Sequence, residues 1–241
     1  MTLREVAAYL RVRAEQVDAW VRAGDIPFER SGSRLIFRRS AIEPWASARM
    51  LGFSGEQLRA YYAFHPPAEP APEPAGVSTI SGLLLAGRIL SEMDAKTRPA
   101  ALRALLAAAD ETGWVNDSTA LRESVETRER MCSTALPGGV AIPHPMHHEP
   151  YLLERCFMVL GRVPSPIPFG SPDGQTTDLF FLLCSSDERQ HLQWLARVCR
   201  LCRETSMLEE LRQATDEASM REAVRRAEAS ADRVRGPQTA G

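Results

Sequence analysis

The sequence predicts an α+β and α/β multidomain protein: a small winged helix-turn-helix joined to an α/β sandwich with a mixed sheet flanked by helices. Three observations predict it. Apolar residues recur at helical spacing in two short N-terminal segments separated by a tight break. A run of alternating prolines, "AFHPPAEPAPEPAG", then interrupts the chain. Beyond it, helical periodicity alternates with short runs rich in branched and aromatic residues, the pattern of helices covering a sheet. A length of 241 residues gives each of two units enough chain to bury its own core.

Composition narrows the function classes. With 44% apolar and 25% charged residues the chain reads as soluble and globular. No run of 18 apolar residues occurs, and "MTLREVAAYLRVRAEQ" has acids among its apolar positions, so neither membrane insertion nor a signal peptide is expected. Five cysteines without framework spacing suggest reduced thiols and a cytoplasmic location. The net charge of −2 hides an asymmetry, because residues 1–64 hold ten Arg and no Lys against seven acids. A basic arm on an acidic body hints at nucleic acid.

Within the N-terminal unit, 1–64, Thr2 can cap a helix whose face is Leu3, Val6, Ala7 and Leu10. A second helix follows the break near Arg11 and Val12, buries Ala14, Val17, Trp20 and Val21, and stops at Gly24. Two helices joined this closely form a helix-turn-helix. "ERSGSRLIFRRS" then reads as a hairpin turning at Ser31-Gly32-Ser33, after which Ser40 caps a helix through Ile42 and Trp45. Residues 50–64 read as one further helix, available for packing or dimerisation.

The segments "LREVAAYLRV", "VRAGDIPF" and "RLIFRRSAIEPW" resemble the winged helix-turn-helix of excisionases and MerR-like regulators. The resemblance implies that the second helix enters the major groove and the hairpin contacts the backbone. By position, Arg13 and Gln16 would face bases, while Arg34 and Arg38 would neutralise phosphates. Relatives start that helix with Ser or Thr, then a base and an aromatic; here Arg13, Ala14, Glu15 and Asp18 stand, and two carboxylates repel DNA. The alternative is a helix-turn-helix used only for protein contacts.

The proline-rich stretch, 65–76, reads as a polyproline linker of ~37 Å, at ~3.1 Å per residue. Residues 77–230 form the second unit and 231–241 a flexible tail. "ISGLLLAGRILSEM" and "RPAALRALLAAADETG" read as helices, and Asp117 or Ser118 caps a third through Arg128. "VAIP", "FMVLGRV" and "TDLFFLLC" read as buried strands, with a helix from about 186 to 202 after the last.

Three histidines in five residues, His144, His147 and His148, follow the strand "VAIP". A metal site, a phosphate-carrying nucleophile and a solvated loop are the competing readings. Adjacent His147 and His148 point apart in most backbones, and no carboxylate or cysteine lies at established ligand spacing, which weighs against metal. "RERMCSTALPGGVAIPHP" and "TDLFFLLCSSDERQHLQWLARVCRLC" together resemble fructose/mannitol-type enzyme IIA domains of the bacterial phosphotransferase system, including the nitrogen-related branch. The resemblance implies phosphorylation of His144 by a histidine-containing phosphocarrier protein, with His191 as the second histidine of the site. Arg128, Thr134, Gly138 and Gly139 would bind the phosphoryl oxygens. Each has a plainer reading: His191 as a satisfied histidine on a stripe with Leu195, Val198 and Cys202, Arg128 as a helix C-terminal cation, His147 and His148 as solvated surface. Cys199 and Cys202 read as one apolar helical face.

The two units together suggest a transcriptional regulator that reads phosphotransfer state, a phosphohistidine carrier rather than a stand-alone turnover enzyme. No cofactor is implied, DNA and the phosphocarrier are the expected partners, and homodimerisation stays open. The alternatives are a sugar-uptake component whose N-terminal unit is a docking adaptor, and a metal-binding or unphosphorylated sensor.

Overall fold

The computed structural model describes residues 1–10, 12–32, 34–64, 79–86, 88–149 and 151–233. The expected proline-rich linker lies outside these, as does the expected 231–241 tail from 234 onward; its first residues, 231–233, belong instead to the last helix, which buries Ala231.

The N-terminal helices form where the spacing puts them. α1 (Leu3–Leu10) buries Val6, Ala7, Tyr9 and Leu10. α2 (Ala14–Ala23) buries Val17, Trp20 and Val21 and ends at Gly24, whose φ of 71° is the left-handed cap that glycine adopts without steric cost. β1 (Glu29–Ser31) and β2 (Arg34–Ile36) pair antiparallel as the wing. α3 (Arg39–Leu51) has Arg38 rather than Ser40 as its N-cap residue and runs past Trp45 to Leu51. Trp20 meets Trp45 edge-on at 5.3 Å, and the Arg49 guanidinium lies 4.6 Å from the Trp20 ring centre, pinning α2 to α3. The single helix expected over 50–64 is two pieces: α3 stops, and α4 (Gly55–Phe64) restarts. A reciprocal capping box causes the restart, since Gln57 N donates to Ser54 Oγ at 3.2 Å and Ser54 N donates to Gln57 Oε1 at 2.8 Å.

The second unit is built on a mixed five-stranded sheet. Its strands are β3 (Ile89–Leu90), β4 (Ala135–Leu136), β5 (Val140–Ala141), β6 (Phe157–Ile167) and β7 (Thr177–Cys184), in spatial order β3-β6-β7-β5-β4. Beside the sheet stand α5 (Ile80–Ala86), α6 (Arg98–Asp110), α7 (Ser118–Met131), α8 (Glu188–Glu204), α9 (Met207–Gln213) and α10 (Glu217–Arg233). Side chains alternate across the pleat. Met158, Leu160, Leu179, Phe181 and Leu183 pack with α5, α8, α9 and α10, whereas Phe157, Val159, Phe180 and Leu182 pack with α6 and α7. Both faces are therefore covered, which is why these strands are continuously apolar.

Three differences from the expected elements stand out. "ISGLLLAGRILSEM" is helical only to Ala86, and Ile89 and Leu90 become a parallel strand against Leu160 and Gly161. β4 pairs with β5 as a short hairpin, and α9 and α10 complete the C-terminal end. The two units also share core. Met50, Leu51 and Leu58 join the apolar cluster on the α8 side of the sheet, and Leu192 of α8 joins the cluster of the helix-turn-helix.

Candidate functional site

His144 is delivered by β5. This strand runs parallel to β7, and Leu183 N still donates to Pro143 O at 2.9 Å, so the chain is held to the sheet edge up to the histidine. The His144 ring lies 2.8 Å from Ile142 O through Nδ1. A carbonyl can only accept, so Nδ1 carries the proton, and in a neutral ring the lone pair is left on Nε2. That Nε2 is buried and has no hydrogen-bond partner among the described residues. The residue is 1% exposed. Burial holds its pKa well below the usual 6.5, helped by the Arg128 charge and, less, by His148, against the opposing bond to Ile142.

His191 comes from the first turn of α8, which Asp187 caps by accepting from Gln190 N at 2.8 Å. Its ring centre is 4.8 Å from that of His144, and it too is 1% exposed. Burial first, then His148, His144 and Arg128, push its pKa well below 6.5. Its Nε2 lies 3.4 Å from Ser47 Oγ of α3.

Arg128 sits in the last turn of α7, 2% exposed. Nη1 donates to Cys132 O at 2.8 Å, while Nε and Nη2 have no partner among the described residues. Burying an unmatched guanidinium is costly, and burial accordingly lowers its pKa. The unpartnered Nε and Nη2 of a guanidinium close enough to depress the His144 pKa offer N–H groups suited to oxygens of an anionic group. Beneath it, buried Glu129 accepts from Thr134 Oγ1 at 2.6 Å and from Thr134 N. Burial raises the Glu129 pKa and these bonds oppose it.

The structure thus brings His144, His191 and Arg128 together. The Thr134 hydroxyl is already committed to Glu129. Gly138 and Gly139 are not brought to the histidines: they turn β4 into β5 at the opposite end of the strand, where Asp178 N donates to Gly139 O, while Pro143 is bonded five residues further along β7, at Leu183. Their φ angles of 94° and 79° serve the turn, closed by Arg212 donating to Gly138 O at 2.6 Å. His147 and His148, read as solvated, are half-buried and engaged. His148 Nδ1 lies 2.9 Å from Ser185 O and its ring stacks 4.0 Å from that of His191; His147 Nδ1 lies 2.9 Å from Glu43 Oε2 of α3. No sequence signal for these contacts exists, because His148 meets the end of β7 and His147 meets α3 only once the chain has folded. Among the described residues no three His, Cys, Asp or Glu side chains gather to hold a metal ion. Cys199 lies inside the core, where burial pushes its thiol up to about 12.

In the N-terminal unit, Arg13, Gln16 and Arg34 are exposed, Arg13 as the N-cap residue of α2. Arg38 is exposed but bonded to Glu29 across the wing, at 2.5 and 3.0 Å.

The segment carrying the three buried side chains is also the one that finds relatives. The family profile described as "Phosphoenolpyruvate-dependent sugar phosphotransferase system, EIIA 2" matches residues 83–227. The chain belongs to this family. A helix-turn-helix domain profile matches residues 1–50, so the enzyme IIA domain is preceded by a module of a second kind, and α4 lies in neither match. A nitrogen regulatory protein from Bradyrhizobium diazoefficiens is 36% identical over 139 residues, 57% of this chain and 88% of that protein. The crystal structure of the mannitol enzyme IIA from Escherichia coli shares the enzyme IIA fold, with 19% identity and a TM-score of 0.50 over 56% of this chain and 94% of that one. So does the complex of the same enzyme IIA with phosphorylated enzyme IIB, at 19% identity and a TM-score of 0.50 over 57% of this chain and 93% of that one. No helix among the described residues is long and apolar enough to cross a membrane.

Proposed function

We propose that this protein is a DNA-binding regulator whose enzyme IIA domain accepts a phosphoryl group on His144 Nε2 from a histidine-containing phosphocarrier, carrying phosphotransfer state to transcription in the cytoplasm. One observation carries the reading. The bare, buried lone pair at His144 Nε2 lies within electrostatic reach of the buried Arg128 guanidinium, whose Nε and Nη2 have no partner among the described residues, so a nucleophile and an anion receptor share one site. In the transfer the P–Nε2 bond forms in line as the donor's P–N bond breaks, and the donor imidazole leaves with that electron pair as a neutral ring whose other nitrogen keeps its proton, as His144 Nδ1 keeps its own. Arg128 neutralises the moving oxygens, Glu129 and Thr134 brace the loop behind it, and His191 supports the phosphorylated ring.

On the DNA side, Arg13 and Gln16 would read bases, and Arg34 would contact phosphate; Arg38 would first have to leave Glu29. The test is incubation of the full chain with a phosphorylated phosphocarrier, followed by mapping of acid-labile phosphate. Label on wild type and none on His144→Ala is expected, together with different affinities of the labelled and unlabelled chain for operator DNA. An unlabelled wild type, or a labelled His144→Ala, would overturn the acceptor assignment.

A second reading, a phosphocarrier component of sugar uptake whose N-terminal unit is a docking adaptor, draws on the packing of α3 against α8. Retention on duplex DNA separates the two. A unit that contacts phosphates weakens steeply as salt rises, whereas an adaptor gives no salt-dependent retention.

A further inference from the structure

The face of the enzyme IIA domain that carries the two buried imidazoles is not open to a partner protein. Across it lies α3 of the helix-turn-helix. Ser47 Oγ reaches His191 Nε2 at 3.4 Å, and Glu43, buried, reaches His147 Nδ1 at 2.9 Å. Leu192, next to His191, is buried in the apolar cluster of the helix-turn-helix, and Arg203 of α8 donates to Leu51 O at 3.1 Å. One edge of this seam is polar, a cavity of about 750 Å³ lined by residues that include Glu5, Arg39, Glu43, His147 and Asp187. The seam is therefore part apolar and part wet, the composition of contacts that open and close.

Two consequences follow from this geometry. A phosphodonor must bring its phosphorus to within ~3–3.5 Å of the acceptor atom, and an acceptor residue 1% exposed admits no such approach. A phosphoryl group also brings roughly −1.5 to −2 charge, beside a ring cluster that Glu43 already borders with a carboxylate. Meanwhile Glu15, Gln16, Ala19 and Arg22, on the outward side of α2, and Arg34 on the wing stay exposed.

We propose that α3 is a built-in cap: it competes with the phosphodonor for the His144–His191 face, and a phosphorylated His144 holds the helix-turn-helix off α8. The second half rests on His144 being the acceptor; the capping itself does not. The capped form hides the acceptor while presenting the base-reading side of α2, so the unphosphorylated chain keeps its reading helix fixed in one orientation and the phosphorylated chain releases it.

The test uses the full chain and two variants that break the seam from opposite sides, Glu43→Arg/Ser47→Arg on α3 and Leu192→Ser on α8. A variant counts only if it keeps the wild-type circular dichroism spectrum. Two probes are applied: carbethoxylation of His144 and His191 by diethyl pyrocarbonate, followed by peptide mass spectrometry, and phosphoryl uptake from phosphoramidate. Opening the seam is expected to raise both rates by about tenfold or more, because the apparent rate scales with the uncapped fraction. Carbethoxylation equal in wild type and variants overturns the cap. Faster carbethoxylation with no phosphoryl uptake at His144 in any chain keeps the cap and overturns the acceptor assignment. Equal uptake by all three chains keeps the acceptor and overturns the competition.

Discussion

His144 illustrates how one backbone contact sets chemistry. The Ile142 carbonyl decides which nitrogen bears the proton, and burial keeps the ring neutral, so nucleophilicity at Nε2 persists to lower pH than an exposed histidine would allow. The same shift carries a stability cost with a definite sign. Both His144 and His191 have folded pKa values below 6.5, so as pH falls through 6.5 the unfolded chain takes up protons that the folded chain does not, and stability declines. The thermal midpoint is therefore expected to drop between pH 7 and pH 5, and His144→Gln/His191→Gln should recover part of that drop. Arg128 gives a second expectation. Arg128→Lys keeps a charge but loses the planar fork, and with hydrogen bonds to charged groups worth about 1.5–3 kcal/mol the phosphorylation rate should fall roughly 10- to 100-fold. A rate within twofold of wild type would show that Arg128 acts by charge alone. Both histidines and Arg128 were legible in the sequence because they sit on recognisable segments. His148 was not: its stacking on His191 arises only when the loop after β5 folds onto the end of β7.

Among the elements, several with local signals formed as read. Asp117 caps α7 through its side chain and Gly24 ends α2, while Thr97, not singled out in the sequence, caps α6. Two departures were local, the Arg38 cap in place of Ser40 and the Ser54–Gln57 box that restarts α4; in a third, a distant partner overrode a local pattern. Ile89 and Leu90 look helical beside "LLLAG", yet β6 offers them a ladder. α5 is likewise held from far along the chain. Buried Glu228 of α10 accepts from Ile80 N at 2.7 Å, Ser81 N at 2.9 Å and Ser81 Oγ at 2.6 Å, matching a carboxylate to the unpaired N–H groups of a helix start. Glu228→Gln keeps the shape but loses the charge and one acceptor. It should cost about 1–3 kcal/mol in chemical denaturation, the range for leaving a buried polar group unsatisfied.

At the scale of the whole molecule, the two matched segments do not behave as beads on a string. α4 belongs to neither, yet Leu58 is fully buried and packs in the cluster beneath α8 together with Met50 and Leu51. Leu58→Ala should therefore destabilise the chain by about 2–5 kcal/mol, as core truncations do, whereas a helix serving only as spacer would show no loss. This sharing of core was invisible in the sequence, because an amphipathic helix announces that it has an apolar side and not what will cover it.

The joint between α3 and α4 is only Gly52 to Ser54, while α4 stays anchored through Leu58. When α3 lifts away it swings on a leash of three residues instead of drifting off, and a tether that short keeps the lid at an effective concentration in the millimolar range. Resealing is then a unimolecular event, indifferent to dilution. On the proposed cap, the time the lid stays up would be set by the lifetime of the modification underneath and not by how many copies of the protein a cell holds.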